Sequence, residues 1–221
     1  MSFSAKADCL ETPLSVINVD HDYQEHHVLT DINFTLSPGD ISALVGENGV
    51  GKSTLLRIIS GITRPTSGEV VLGGFDVRND RVRAQQYFGY VPDVPFFYLR
   101  LRGSEHLALV ASIMGGSIEQ GMSFAKRLGV SGETLRRPVG EYSLGTKQKL
   151  ALACAFRSNM RVLIMDEPFA SLDIDSRGIA IDLVSEFAES GGAVLFVTHD
   201  SRDLVSCTRI LKLEHGSLHE D

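Results

Sequence analysis

The stretch Gly46-Glu47-Asn48-Gly49-Val50-Gly51-Lys52-Ser53-Thr54 decides the fold. It fits the spacing G-x-x-x-x-G-K-[ST]. Glycines at these places let the backbone curl until several N–H groups point into one concavity. The concavity opens onto a helix N-terminus, whose partial positive charge favours phosphate. Lys52 then reaches the outer phosphates, and the Ser53 hydroxyl is placed to ligate Mg²⁺. The flanks agree. Ile41–Val45 reads as a short buried strand before the loop, and Ser53–Ser60 reads as a helix after it, with Gly61 as its C-cap. An ordinary glycine turn has no need of that setting.

Working outward, residues 14–45 read as strands, with Leu14–Val19 apolar-rich and Val28–Leu36 alternating. Gly68–Leu72 and Phe88–Val91 are further short strands. From about Gly103 to Ser158 the apolar spacing becomes helical, with room for two or three helices. The strand pattern returns at Val162–Met165. A helix from about Asp175 to Glu189 leads through Gly191-Gly192 into the strand Ala193–Val197. Strand, helix, strand order implies a parallel sheet with crossover helices. The fold class expected is therefore α/β, a P-loop NTPase core with a mostly parallel sheet. To it are added an N-terminal antiparallel β layer and an inserted α-helical lobe. The division is about 14–100 and 159–221 for the core and 101–158 for the lobe, all within a single domain.

Composition narrows the classes. A chain of 221 residues with 43% hydrophobic and 22% charged residues buries a core without staples, so wholesale disorder is excluded. The net charge of −7 argues against a dedicated nucleic-acid binder. Cys9, Cys154 and Cys207 are scattered, without metal-ligand spacing, and suit a reducing compartment. The N-terminus lacks the basic and apolar regions of a signal peptide. The longest run free of charge and histidine, Leu107 to Ile118, is shorter than the roughly 18 to 20 residues of a bilayer span.

Two carboxylates, Asp166 and Glu167, end the apolar run Val162–Met165. The carboxyl end of a parallel strand is where doubly wound sheets bind ligands. Adjacent strand residues face opposite ways, so the pair can divide its work. Asp166 suits a Mg²⁺ partner, and Glu167 suits a general base for an attacking water.

With these motifs in order, the chain resembles the ATP-binding subunit of an ATP-binding-cassette (ABC) transporter, from about Leu14 to Leu218. Tyr142-Ser143-Leu144-Gly145-Thr146, before the expected helix Lys147–Phe156, is similar to the family's signature motif. Leu144 stands where a glycine is usual and Thr146 where a glutamine is usual. Alone, the segment reads more readily as a plain helix cap, and its position shortly before the Asp166 strand carries the assignment. Ala170-Ser171-Leu172-Asp173 resembles the D-loop, and Val197-Thr198-His199-Asp200 the switch-histidine motif. Tyr23 resembles the aromatic residue that stacks on adenine, with a plain core or surface tyrosine as its other reading. Asp93 replaces the usual glutamine after Phe88–Val91. An acid there, with the following Pro95-Phe96-Phe97-Tyr98, resembles the ABC-2 export group. His21, His26 and His27 read as solvated loop residues.

The resemblance implies ATP and Mg²⁺ as cofactors and a head-to-tail dimer of two such chains. Each ATP lies on residues 46–54 and Tyr23 of one chain. It meets Ser143, Leu144, Gly145, Thr146 and Asp173 of the other. Ser53, Asp166 and Asp93 face the metal, while Glu167 and His199 act in catalysis. A transmembrane permease subunit docks near Asp93–Leu101, from the cytoplasmic face of the membrane, and the group implied is an exporter. No nucleic acid is expected. Other readings are a soluble cassette ATPase, a non-hydrolysing nucleotide-dependent clamp and a small-molecule kinase. The kinase reading leaves the signature segment, D-loop and His199 unexplained.

Overall fold

The computed structural model describes residues 12–157 and 159–220. Cys9, the N-terminal segment and Ser158 at the lobe boundary lie outside those residues. Ten strands form two sheets. The first joins β1 (Leu14–Tyr23), β2 (His26–Leu36), β4 (Ser67–Leu72) and β5 (Phe75–Asp76) in the order β2-β1-β4-β5, all antiparallel. The second contains β3 (Ile41–Val45), β6 (Phe88–Val91), β7 (Val162–Asp166), β8 (Ala193–Val197), β9 (Arg209–Glu214) and β10 (Ser217–Glu220). Its order is β10-β9-β3-β8-β7-β6, parallel throughout except for β10.

Val162–Met165 of β7 and Ala193–Val197 of β8 read as unbroken apolar runs because both of their faces are covered. Residues alternate between two cores. Val162 and Ile164 of β7, with Ala193, Leu195 and Val197 of β8, pack toward the antiparallel sheet. They share that side with Leu55, Leu56, Ile58 and Ile59 of α1 (Lys52–Ile59). Leu163, Met165, Val194 and Phe196 face the other way. They meet α7 (Ile174–Glu189) and the helices between β6 and β7.

A short helix, α2 (Arg81–Ala84), precedes β6. The intervening helices are α3 (Gly103–Met114), α4 (Ile118–Arg127), α5 (Gly132–Leu135) and α6 (Leu144–Ala155), with a 3₁₀ turn at Val139–Glu141. α3, α4 and α6 pack on one another. Arg157 ties them to the core, donating to the Met114 carbonyl at 2.7 Å and to the Phe88 carbonyl. Among the described residues, no helix is long and apolar enough to cross a membrane.

Three expectations are corrected. The helix expected over Lys147–Phe156 begins at Leu144, because Ser143 caps it: Ser143 Oγ accepts from the Thr146 N–H at 3.2 Å. β9 and β10 were not foreseen. Their hairpin turns at His215-Gly216, both at positive φ, the geometry of a two-residue loop. Third, His21 is not a solvated loop residue: it lies on β1, 6% exposed, whereas His26 and His27 on β2 are exposed. An irregularity at Asn18, whose φ is +48°, shifts the β1 register between Val16 and Val19. Leu14, Val16, Val19 and His21 therefore share the inner face.

Ile164 is fully buried in the middle of the sheet. Ile164→Ala should cost about 2–5 kcal/mol of unfolding free energy, read from urea midpoints. A loss under about 0.5 kcal/mol would contradict this packing.

Candidate functional site: the nucleotide cavity

Four neighbouring parallel strands, β3, β8, β7 and β6, end on the same edge of the sheet. The phosphate loop follows β3, Thr198-His199 follows β8, Asp166-Glu167 closes β7, and Asp93 follows β6. A cavity of about 490 Å³ opens there. Its walls include Asn48, Gly49 and Gly51–Thr54, faced by Asp93, Asp166, Glu167 and His199. Tyr23, at the end of β1, and Val28 close one side.

Gly46 lets the loop lie against β9. A Cβ there would stand 2.4 Å from the Leu213 carbonyl oxygen. Lys52 is 6% exposed, and its ammonium donates to the Gly46 and Glu47 carbonyls, both at 2.8 Å. Burial lowers its pKa, and the Glu167 and Asp166 carboxylates oppose that. Lys52 thus sits inside its own loop as a cation held by carbonyl dipoles, ready to exchange them for phosphate oxygens.

The carboxylates are unsettled in the same way. Burial raises the Asp166 pKa, a hydrogen bond from Ser53 opposes it, and the nearby Asp93 adds to it. Burial also raises the Glu167 pKa, countered mainly by His199. Glu167 Oε1 lies 3.3 Å from His199 Nε2, yet it is buried without a hydrogen-bond partner among the described residues. Glu167 has a φ of +46°, uncommon for a side chain of this size, and its N–H donates to the Val197 carbonyl at 3.1 Å. The backbone therefore turns at Glu167 and directs its carboxylate toward the β8 end.

The His199 loop is fixed from behind. Thr198 Oγ1 donates to buried Asp203 at 2.5 Å, and Arg177 of α7 bridges Asp203 at 2.5 Å and Asp200 at 2.8 Å. Arg57, Tyr90, Val28 and Asp203 were all missed from sequence. Arg57 lies one helical turn beyond Ser53, and its charge reaches Asp166. The spacing Ser53/Arg57 (i, i+4) was the available signal. Tyr90, on β6 before Asp93, feels both Asp166 and Asp93.

The structure brings Tyr23, Lys52, Ser53, Thr54, Asp93, Asp166, Glu167 and His199 together. It does not bring Ser143, Leu144, Gly145, Thr146 or Asp173 to that cavity. Those five lie on the α6 start and the loop before α7. Gly145 packs on this loop, where a Cβ would stand 2.7 Å from the Ser171 carbonyl. Asp173 caps α7 through the Ser176 N–H at 2.8 Å and pairs with Lys149 at 2.9 Å. Leu144 is 58% exposed.

The profile of the ABC transporter family matches residues 29–170, more than half of the chain. The chain belongs to the ABC transporter family. It is 34% identical over 206 residues to the lipoprotein-releasing system ATP-binding protein LolD 1 of Caulobacter vibrioides, covering 88% of each. It is 34% identical over 192 residues to the ABC-type transporter ATP-binding protein EcsA of Bacillus subtilis, covering 84% of this chain and 76% of that one. A solved structure of an ABC transporter ATP-binding subunit superposes with a TM-score of 0.88 at 28% identity, over 95% of this chain and 90% of the other. A dimeric cassette carrying ADP and Pi shares the fold, with a TM-score of 0.85 at 22% identity, covering 94% and 97%. The protein is an ABC-type ATP-hydrolysing subunit.

The raised Glu167 pKa fixes the sign of a pH effect. A carboxyl raised on folding stabilises the fold in its protonated form, and loses that contribution as pH rises through its folded pKa. Glu167→Gln should therefore raise the thermal midpoint at pH 8, and the gain should vanish below the ordinary glutamate value of 4.5. A variant less stable than wild type at pH 8 would show that ionised Glu167 is held favourably.

Proposed function

We propose that this chain is the motor of a membrane exporter, working as a head-to-tail homodimer that closes on two Mg²⁺–ATP molecules. One observation carries the reading. Lys52, Ser53, Asp166, Glu167 and His199 converge on one cavity, while the Ser143 segment stands outside it. A phosphate clamp built from both is completed by a second copy.

The residues fit the cofactors. The oxygens of Ser53, Asp166 and Asp93 are hard donors that suit Mg²⁺, which keeps waters and phosphate oxygens in its shell. Bound Mg²⁺ would neutralise the charge of the outer phosphates. Lys52 and the loop N–H groups hold the phosphates, and Tyr23 supplies a flat face for adenine. Glu167 takes a proton from the attacking water as the bond between the β–γ bridging oxygen and the terminal phosphorus breaks, giving ADP and phosphate. His199 keeps the water and Glu167 in line. Ser143, at the N-terminus of α6, with Leu144, Gly145 and Thr146, presents N–H groups to the partner's ATP. Asp173, on the loop before α7, meets the partner's ATP as well.

The permease subunit is assigned to the segment Asp93–Leu101. Val94, Phe96, Tyr98 and Leu99 are 57–86% exposed there, while Phe97 is anchored edge-on against buried His106 at 4.9 Å. Exposed aromatics held on a fixed base suit an apolar helix of a membrane subunit. The reading puts the chain on the cytoplasmic face of the membrane. Asp93 in place of glutamine supports the ABC-2 export group. Residues 101–158 are read as the lobe and 14–100 with 159–221 as the core of one domain. A non-hydrolysing clamp would leave the contact between Glu167 and His199 without a purpose.

Two outcomes are expected of the purified chain. Lys52→Ala should weaken ATP binding by roughly tenfold or more by calorimetry, and unchanged affinity would refute its role. Glu167→Gln should lower Mg²⁺-dependent turnover by about a hundredfold or more and hold an ATP-bound dimer visible by light scattering. Turnover at wild-type rates would remove Glu167 as the base.

A further inference from the structure

His21 is the one side chain ring among the described residues buried with both nitrogens unpartnered. It is 6% exposed, on the inner face of β1. Two residues on, on the same strand, Tyr23 lines the nucleotide cavity and is 45% exposed. The two rings stand perpendicular, with centroids 4.6 Å apart. Across the ladder His21 pairs with Leu29, next to Val28 of the same cavity wall.

A buried imidazole that makes no hydrogen bond is costlier than a phenyl ring of similar shape. Its work here is therefore done by the ring contact, not by its nitrogens. Tyr23 needs such a contact. It ends its strand, and the chain turns at once through Gln24 at a φ of +57°. No side-chain hydrogen bond holds the Tyr23 ring among the described residues, and the His21 ring packs against it. An edge-to-face pair fixes ring orientation as well as position.

We propose that His21 is a positioning residue for base recognition. It holds the Tyr23 ring in the plane that receives adenine, and so gives the site its preference for a nucleoside triphosphate over a bare triphosphate chain. The proposal rests on Tyr23 as the base platform, and its consequences are separable from that reading. His21 touches the base only through Tyr23, so a ligand without a base is blind to it.

The test is calorimetric titration of the purified chain in EDTA, where no turnover intervenes, with ATP and with inorganic tripolyphosphate. His21→Ala should weaken ATP about threefold to tenfold and leave tripolyphosphate unchanged. His21→Phe, which keeps a flat ring, should restore ATP affinity. Tyr23→Ala should abolish the preference for ATP over tripolyphosphate, and adding His21→Ala to it should change nothing further. If His21→Ala fails to fold, His21→Leu, which fills the space without a ring, replaces it under the same criteria. Equal weakening of both ligands, or a His21 effect that adds fully to that of Tyr23→Ala, would overturn the positioning role and leave the platform standing. An unchanged preference in Tyr23→Ala would overturn the platform and the inference together.

Discussion

A strand buried on both faces has nowhere to put a charge except its end. That constraint shapes this molecule. β3, β7 and β8 are apolar along their length because cores lie above and below them. Their polar chemistry emerges only at the carboxyl edge, where four parallel neighbours finish together. The phosphate loop, Asp166, Glu167, His199 and Asp93 come from four separate stretches of sequence, and the sheet delivers all of them to one cavity.

Within the cavity burial works against three charged groups. Lys52 is bound by its own loop, Asp166 and Glu167 are pushed toward protonation, and one Glu167 oxygen is buried with no hydrogen bond among the described residues, only the His199 ring nearby. Partial desolvation without full pairing costs stability. A polyanion carrying a divalent cation relieves these strains together, giving Lys52 phosphate oxygens and Asp166 a positive neighbour. Burial and charge in this cavity therefore favour one class of ligand.

Much of this was legible in the sequence. The phosphate loop, the β7 carboxylates and the β8 histidine lie at abrupt changes from apolar to polar residues, and such changes mark strand ends. The helical middle was legible from its period. What escaped detection had no such contrast. β9 mixes Arg209, Lys212 and Glu214 with its apolar residues, so it reads as surface; its apolar members Leu211 and Leu213 are nonetheless fully buried. His21 sits among Asp20, Asp22 and Tyr23 and looks solvated. Only the shift at Asn18, which residue order does not announce, turns it inward. α6 begins at Leu144, ahead of the expected Lys147, because Ser143 serves as its cap.

The signature segment is the part of the account that one chain cannot complete by itself. Its Ser143 is absent from the cavity that holds Lys52, and Gly145 and Lys149 fasten it to the loop leading from Glu167. The most direct measurement is Mg²⁺-dependent ATP turnover of an equimolar mixture of Lys52→Ala and Ser143→Arg chains, beside each variant alone. A composite site predicts that each is inactive alone and that the mixture recovers activity. In the mixed dimer, intact Lys52 of one chain meets intact Ser143 of the other. A mixture as inactive as its parts, or a Ser143→Arg chain as active as wild type, would contradict the account.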